Sequence, residues 1–209
     1  MKRIFLRTAS ALCLMSAGAF AAPADQPGHQ SPKPGSNSET MSAVKDSTAG
    51  MVGKVSAKFT NTTKGFITAA AISDMYEVTA GEIAQQRAQS PAVKDFARQM
   101  VEAHKGTTSQ LKSLIASHNI QATPPAHVDN RRQGLLDDLR GAKAEDFDHR
   151  YISQQVAAHK EADILMRGYA KDGDNPAIRD FAANTDQTVK MHLSMAEKLN
   201  KGQKTASNN

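Results

Sequence analysis

The stretch SPAVKDFARQMVEAHKGTTSQLKSLIAS, residues 90–117, decides the fold. Ser90 followed by Pro91 is a helix start: a hydroxyl residue suits the N-cap, and proline at the first helical position lacks only an N–H that would be unpaired anyway. From there Val93, Phe96, Ala97, Met100, Leu111, Leu114 and Ile115 recur on one side at helical spacing. His118, Asn119 and the pair Pro124-Pro125 end the run. A helix this long with one apolar stripe needs partners of similar length to cover it. Near the centre of that stripe lies His104, about 20° from Val93 at 100° per residue, so a titratable ring points at the core.

The neighbouring segments repeat the pattern. Residues 64–89 are alanine-rich and poor in strand formers, with Thr63 as the expected N-cap. Residues 144–171 carry Phe147, Tyr151, Ile152, Ala158, Ala162, Leu165, Met166 and Tyr169 on a broad stripe and stop at Asp172-Gly173-Asp174. Asn175-Pro176 then starts a last helix running to about Leu199. Its opening, NPAIRDFAAN (175–184), echoes SPAVKDFARQ (90–99); a repeated helical hairpin and two independently well-capped helices both fit that echo. Between the second and third segments, residues 119–143 form a long connection holding a weaker helical piece, RRQGLLDDLRG. The expectation is an all-α four-helix bundle over residues 64–201 with a long second connection.

Flanking this bundle, the first 21 residues combine Lys2, Arg3 and Arg7, an apolar run and an Ala-Phe-Ala end, the pattern of a signal peptide cleaved near Ala21 or Ala22. Cys13 sits in that apolar run behind Leu12, which does not fit a lipoprotein signal, so the mature chain has no cysteine and no disulfide. Residues 22–63 read as a flexible linker with a short helix in its second half, and 202–209 as a disordered tail. The precursor carries a formal charge of +5, but removing the leader leaves 23 basic against 21 acidic side chains, or +2. That removes the electrostatic case for nucleic acid, and no later segment has the apolar length of a membrane span. A periplasmic or secreted location follows.

Each long helix places one polar residue on its inner face. His192 lies about 40° from Ile178, His159 falls inside its own stripe, and Glu77 is about 20° from Phe66. Depth agrees too. Glu77 and His104 lie 13 and 14 residues from Ser90, while His159 and His192 lie 13 and 17 residues from their own turn. At 1.5 Å per residue all four fall roughly 20–25 Å from a bundle end, near mid-height.

Two roles fit such a layer. Three neutral nitrogens and one carboxylate suit one Zn²⁺, Fe²⁺, Mn²⁺ or Cu²⁺ ion, with Glu77, His104, His159 and His192 as ligands. Alternatively the layer is a hydrogen-bonded network that only sets packing and register, with Glu77 bonded to a hydroxyl such as Ser73, in a stress-related or interaction module with an envelope protein partner. Asp95, Glu102 and Asp180 project to solvent, and Met100, Met166, Met191 and Met195 read as core filling. No glycine-rich phosphate loop, nucleophile elbow or HExxH pattern occurs, which points away from catalysis.

The runs DMYEVTAGEIAQQRAQSPAVKDFARQMVEAHKGTTSQL (74–111) and FDHRYISQQVAAHKEA (147–162), with NPAIRDFA and MHLSMAEKL, resemble the bacterial family called domain of unknown function 4142. That resemblance implies an envelope-associated or secreted ferritin-like bundle with a long crossover and assigns no biochemical role. Di-iron ferritin-like proteins use Glu-x-x-His pairs. This chain has none, and Glu102-Ala103-His104 sends its two polar side chains to different faces, which argues against a ferroxidase.

Overall fold

A computed structural model describes residues 61–206. The expected signal peptide, linker residues 22–60 and residues 207–209 lie outside the described residues. Among the described residues five helices follow in order: α1 (Thr63–Arg87), α2 (Pro91–Ser117), α3 (Asn130–Gly141), α4 (Ala144–Asp172) and α5 (Pro176–Ala206). The fold is all-α, with no strand among the described residues. α5 continues past the expected bundle boundary at Lys201.

Helix ends show how local signals and tertiary contacts divide the work. The cap of α1 is Thr62, whose Oγ1 accepts from Gly65 N at 3.1 Å. Thr63, the expected cap, is used across the bundle: its backbone N–H and its hydroxyl both donate to Asp174 Oδ1. Ser90 holds the N-cap position of α2 without a side-chain cap bond. Asp148 of α4 instead accepts from the backbone N–H groups of Gln89 and Ser90, at 2.9 and 2.8 Å. Asn175 caps α5 through Ile178 N at 3.2 Å. α2 ends as its sequence predicts: Asn119 takes a positive φ of 49°, and Ile120 N donates back to Ile115 O at 2.9 Å.

The long helices form a ring in which α1 packs on α2 and α4, and α5 packs on α4 and α2. Direction follows from the end contacts. Thr63, at the start of α1, meets Asp174 beyond the end of α4, whereas Arg87, at the end of α1, reaches Leu139, Arg140 and Ala142 just before α4 begins. α1 and α4 are therefore antiparallel, α2 and α4 run the same way, and residues 118–143 must return the chain along the bundle. This is the connectivity of a four-helix bundle with one long crossover. α3 lies in that crossover against α1 and α4. The Arg87 guanidinium satisfies carbonyls at its C-terminal end while standing over the Phe147 ring, 5.0 Å from the centroid.

The core has two apolar clusters. One gathers Phe96, Met100, Phe147, Tyr151 and Ile152 with the alanines of α1; the other gathers Phe66, Ile67, Leu111, Met166, Ile178 and Phe181. Of the four methionines read as core filling, Met100 and Met166 are buried and Met195 is half-buried against the first cluster. Met191 is 55% exposed, because the step of about 100° from its neighbour His192 turns it outward.

α1 and α2 approach closely at Gly81, where an added Cβ would lie 2.7 Å from Val101 Cγ2 and 3.0 Å from Ala97 O. Gly106, by contrast, has open space around it. The same substitution should thus act with opposite sign at the two sites. Gly81→Ala is expected to lower stability by about 1–2 kcal/mol, overpacking outweighing the gain in helix propensity. Gly106→Ala should raise it by up to about 1 kcal/mol. Urea unfolding of the two variants against the parent checks both.

Candidate metal centre

Between the two apolar clusters the buried side chains are polar: Asp74 and Glu77 from α1, His104 from α2, Gln155 and His159 from α4, and His192 from α5. His104 is held by hydrogen bonds across helices. Its Nδ1 donates to Asp74 Oδ1 at 2.8 Å, while Asp74 Oδ2 accepts from the hydroxyls of Thr107 and Thr108 at 2.9 and 3.0 Å. His159 is held within its own helix, Nδ1 donating to Gln155 O at 2.9 Å. Both acceptors are oxygens, so in the neutral rings the proton sits on Nδ1 and Nε2 keeps its lone pair. Both Nε2 atoms are buried without a hydrogen-bond partner, as is His192 Nδ1.

These rings converge. Their centroids are 5.8 Å apart for His104 and His159, 6.0 Å for His104 and His192, and 5.6 Å for His159 and His192. One ring nitrogen from each lies within 4.8 Å of the other two, and three buried imidazoles in that arrangement can hold a metal ion. Glu77 stands beside this group and outside it. The residue is 1% exposed, with Oε1 3.9 Å from His159 Nδ1 and Oε2 unpartnered. The bond from Ser73 that would make Glu77 part of a self-contained network is not made.

The three histidines respond differently to one environment. Burial and the neighbouring rings of His159 and His104 push the pKa of His192 down to about 4. Burial also lowers His159, with His104 adding to the effect and Glu77 opposing it. For His104, burial is outweighed by the hydrogen bond to Asp74 and the charges of Glu77 and Asp74, and its pKa rises. Apart from metal coordination, then, the layer favours protonation at one ring and opposes it at the other two.

Sequence patterning reached the histidines and Glu77 but passed over Asp74, Gln155 and Tyr151. Asp74 is three residues before Glu77, a spacing that shares a helix face, and that signal was available. Tyr151, Gln155 and His159 follow at successive steps of four on α4, and the Tyr151 hydroxyl and both side-chain polar atoms of Gln155 are buried without partners. Asp95, Glu102 and Asp180 are exposed, as expected.

The chain belongs to the family described as "Domain of unknown function (DUF4142)", whose model matches residues 51–199. No curated protein matches it. Among solved structures, one described as "CopM in the Cu(II)-bound form" is similar to it at 17% identity, with a TM-score of 0.59 over 68% of this chain and 97% of that one. At that identity the likeness is one of fold.

Chelator-treated protein should lose stability as pH falls from about 6.5 toward about 4. In that window folded His192 is neutral and unfolded His192 is protonated, so the unfolded chain binds more protons and acid favours it. His159 acts in the same direction. His104 acts oppositely, its contribution being complete below the unfolded value and lost as pH rises through the higher folded one. Thermal melts across this range should show a positive slope of stability with pH, and His192→Leu should flatten it.

Proposed function

We propose that this member of the DUF4142 family is an exported, ferritin-like metal-binding protein that holds one transition-metal ion in its core through His104, His159 and His192, with Glu77 as fourth ligand or adjacent charge. The observation that carries this is the convergence of three buried imidazoles from three helices, two of them locked with Nε2 bare. A buried nitrogen lone pair with no donor facing it is costly unless something occupies the space between the rings. A divalent ion of the Zn²⁺, Cu²⁺, Fe²⁺ or Mn²⁺ group fits that donor set.

Other supports are independent of the site. The similar fold of a protein seen in a Cu(II)-bound form is compatible with copper here. The long crossover suits a ferritin-like grouping. An exported location rests on the leader pattern at residues 1–21; among the described residues no helix is long and apolar enough to cross a membrane. Binding and holding an ion, not turnover, is the function proposed. A di-iron oxidase would need bridging carboxylates at a second ion, and the described residues contain no second group of three or more such ligands.

The test is metal analysis of the purified mature protein, followed by melting of chelator-treated protein with and without added Zn²⁺ or Cu²⁺. An ion present at 100 times its dissociation constant stabilises the folded state by about 2.7 kcal/mol, a shift of several degrees. His104→Ala and His159→Ala should each abolish that shift. If no ion raises the melting temperature, the layer is structural and the chain an interaction module. A metal-dependent shift that survives His159→Ala would place the ion elsewhere.

A further inference from the structure

The described residues bury three carboxylates, Asp74, Glu77 and Asp186, and no lysine or arginine. Asp186 has a cation of its own in Lys190, whose Nζ donates to Oδ2 at 2.5 Å. Asp74 and Glu77 have none. The partners of Asp74 are the imidazole of His104 and two neutral hydroxyls, and among the described residues the one basic side chain within ion-pair distance of Glu77 is the imidazole of His159, at 3.9 Å. Arg132 is engaged with Asp129 and Glu161, and Lys105 with Glu82. With the three imidazoles in the neutral form that metal ligation requires, the two carboxylates give a formal charge of −2 to a layer closed above and below by apolar side chains. Uncompensated charge there is expensive.

From this we infer that the centre is selective by charge, built for a borderline divalent ion such as Zn²⁺ or Cu²⁺ and discriminating against soft monovalent ions such as Cu⁺ and Ag⁺. The inference rests on the metal-binding function proposed above and adds the class of ion. A dication on the three nitrogens brings the layer to neutrality; a monocation leaves it at −1. Donor chemistry points the same way. The group is imidazole and carboxylate without sulfur, whereas soft monovalent ions prefer thiolate and thioether ligands. The buried methionines among the described residues, Met100 and Met166, belong to the apolar clusters on either side. Asp74 also acts on a ligand directly, since a carboxylate accepting from the Nδ1–H of a ligating histidine fixes its orientation and makes Nε2 a better donor.

The experiment measures the affinity of the full mature chain, chelator-treated, for Zn²⁺ and Cu²⁺ by competition with chromophoric chelators and for Ag⁺ as a redox-inert monovalent probe. Both dications are expected to bind tighter than Ag⁺ by about two orders of magnitude or more. Asp74→Asn and Glu77→Gln should each weaken Zn²⁺ binding by about 10–100-fold and change Ag⁺ binding far less, narrowing the preference. Asp186→Asn, which removes a carboxylate already paired with Lys190, should leave the preference intact. Equal affinity of the parent for Ag⁺ and Zn²⁺ overturns the inference and spares the metal site, and so does a Zn²⁺ preference unchanged in folded Glu77→Gln and Asp74→Asn. Binding of no ion at all overturns both. Because the comparison within the parent protein needs no variant, the outcome does not depend on any substitution folding.

Discussion

The hydrogen bond from His104 Nδ1 to Asp74, with the imidazoles of His159 and His192 packed against it, interrupts a core that would otherwise be continuous hydrocarbon. Helix bundles gain most of their stability from apolar burial, and a polar level in the middle forfeits part of it. What it supplies in return is register. Asp74 ties α1 to α2 through His104, Thr107 and Thr108, so sliding one of these helices by a turn would separate donors from acceptors inside the protein, and the three rings join α2, α4 and α5, so sliding α4 or α5 would take its imidazole out of the cluster. The two apolar clusters are indifferent to such a slide in a way the polar layer is not.

The bundle ends are closed by side chains borrowed from distant elements. At one end Tyr169, Thr63 and Asp174 form a connected set of hydrogen bonds joining the start of α1 to the turn between α4 and α5. At the other, Arg87 and Asp148 secure the end of α3 and the turn between α1 and α2. Gly173 permits the first of these, since any Cβ there would meet the Tyr169 ring. With both ends pinned, the mid-level side chains are presented from rigid helices, the condition under which a small constellation keeps its geometry.

An ion at that level would complete what the protein chain leaves open: unpaired nitrogens, uncompensated carboxylates, and a Glu77 oxygen without a donor. Holding the histidines by Nδ1 is the ordinary way to aim Nε2 at a metal, and here two different devices do it, a carboxylate for His104 and a backbone carbonyl for His159. Membership of a family without an assigned role leaves that chemistry, more than ancestry, as the guide to what the bundle does.

Helix period and rise are local properties of the chain, and they suffice for much of this. The Ser90-Pro91 and Asn175-Pro176 starts, the four long helices, the long crossover and the inward aim of His104, His159 and His192 all follow from spacing along one helix at a time. Even the shared depth of the histidines came from counting residues to the turns. Partnership is different in kind. That Thr62 caps α1 while Thr63 serves Asp174, that Asp148 rather than the Ser90 hydroxyl secures the start of α2, and that Asp74 rather than Glu77 takes the hydrogen bond of His104 depend on how one helix is rotated against the next. A rotation of a few tens of degrees exchanges one acceptor for its neighbour without altering any hydrophobic stripe. Only the packed bundle decided it, because hydrogen bonds are short and directional while apolar burial is neither.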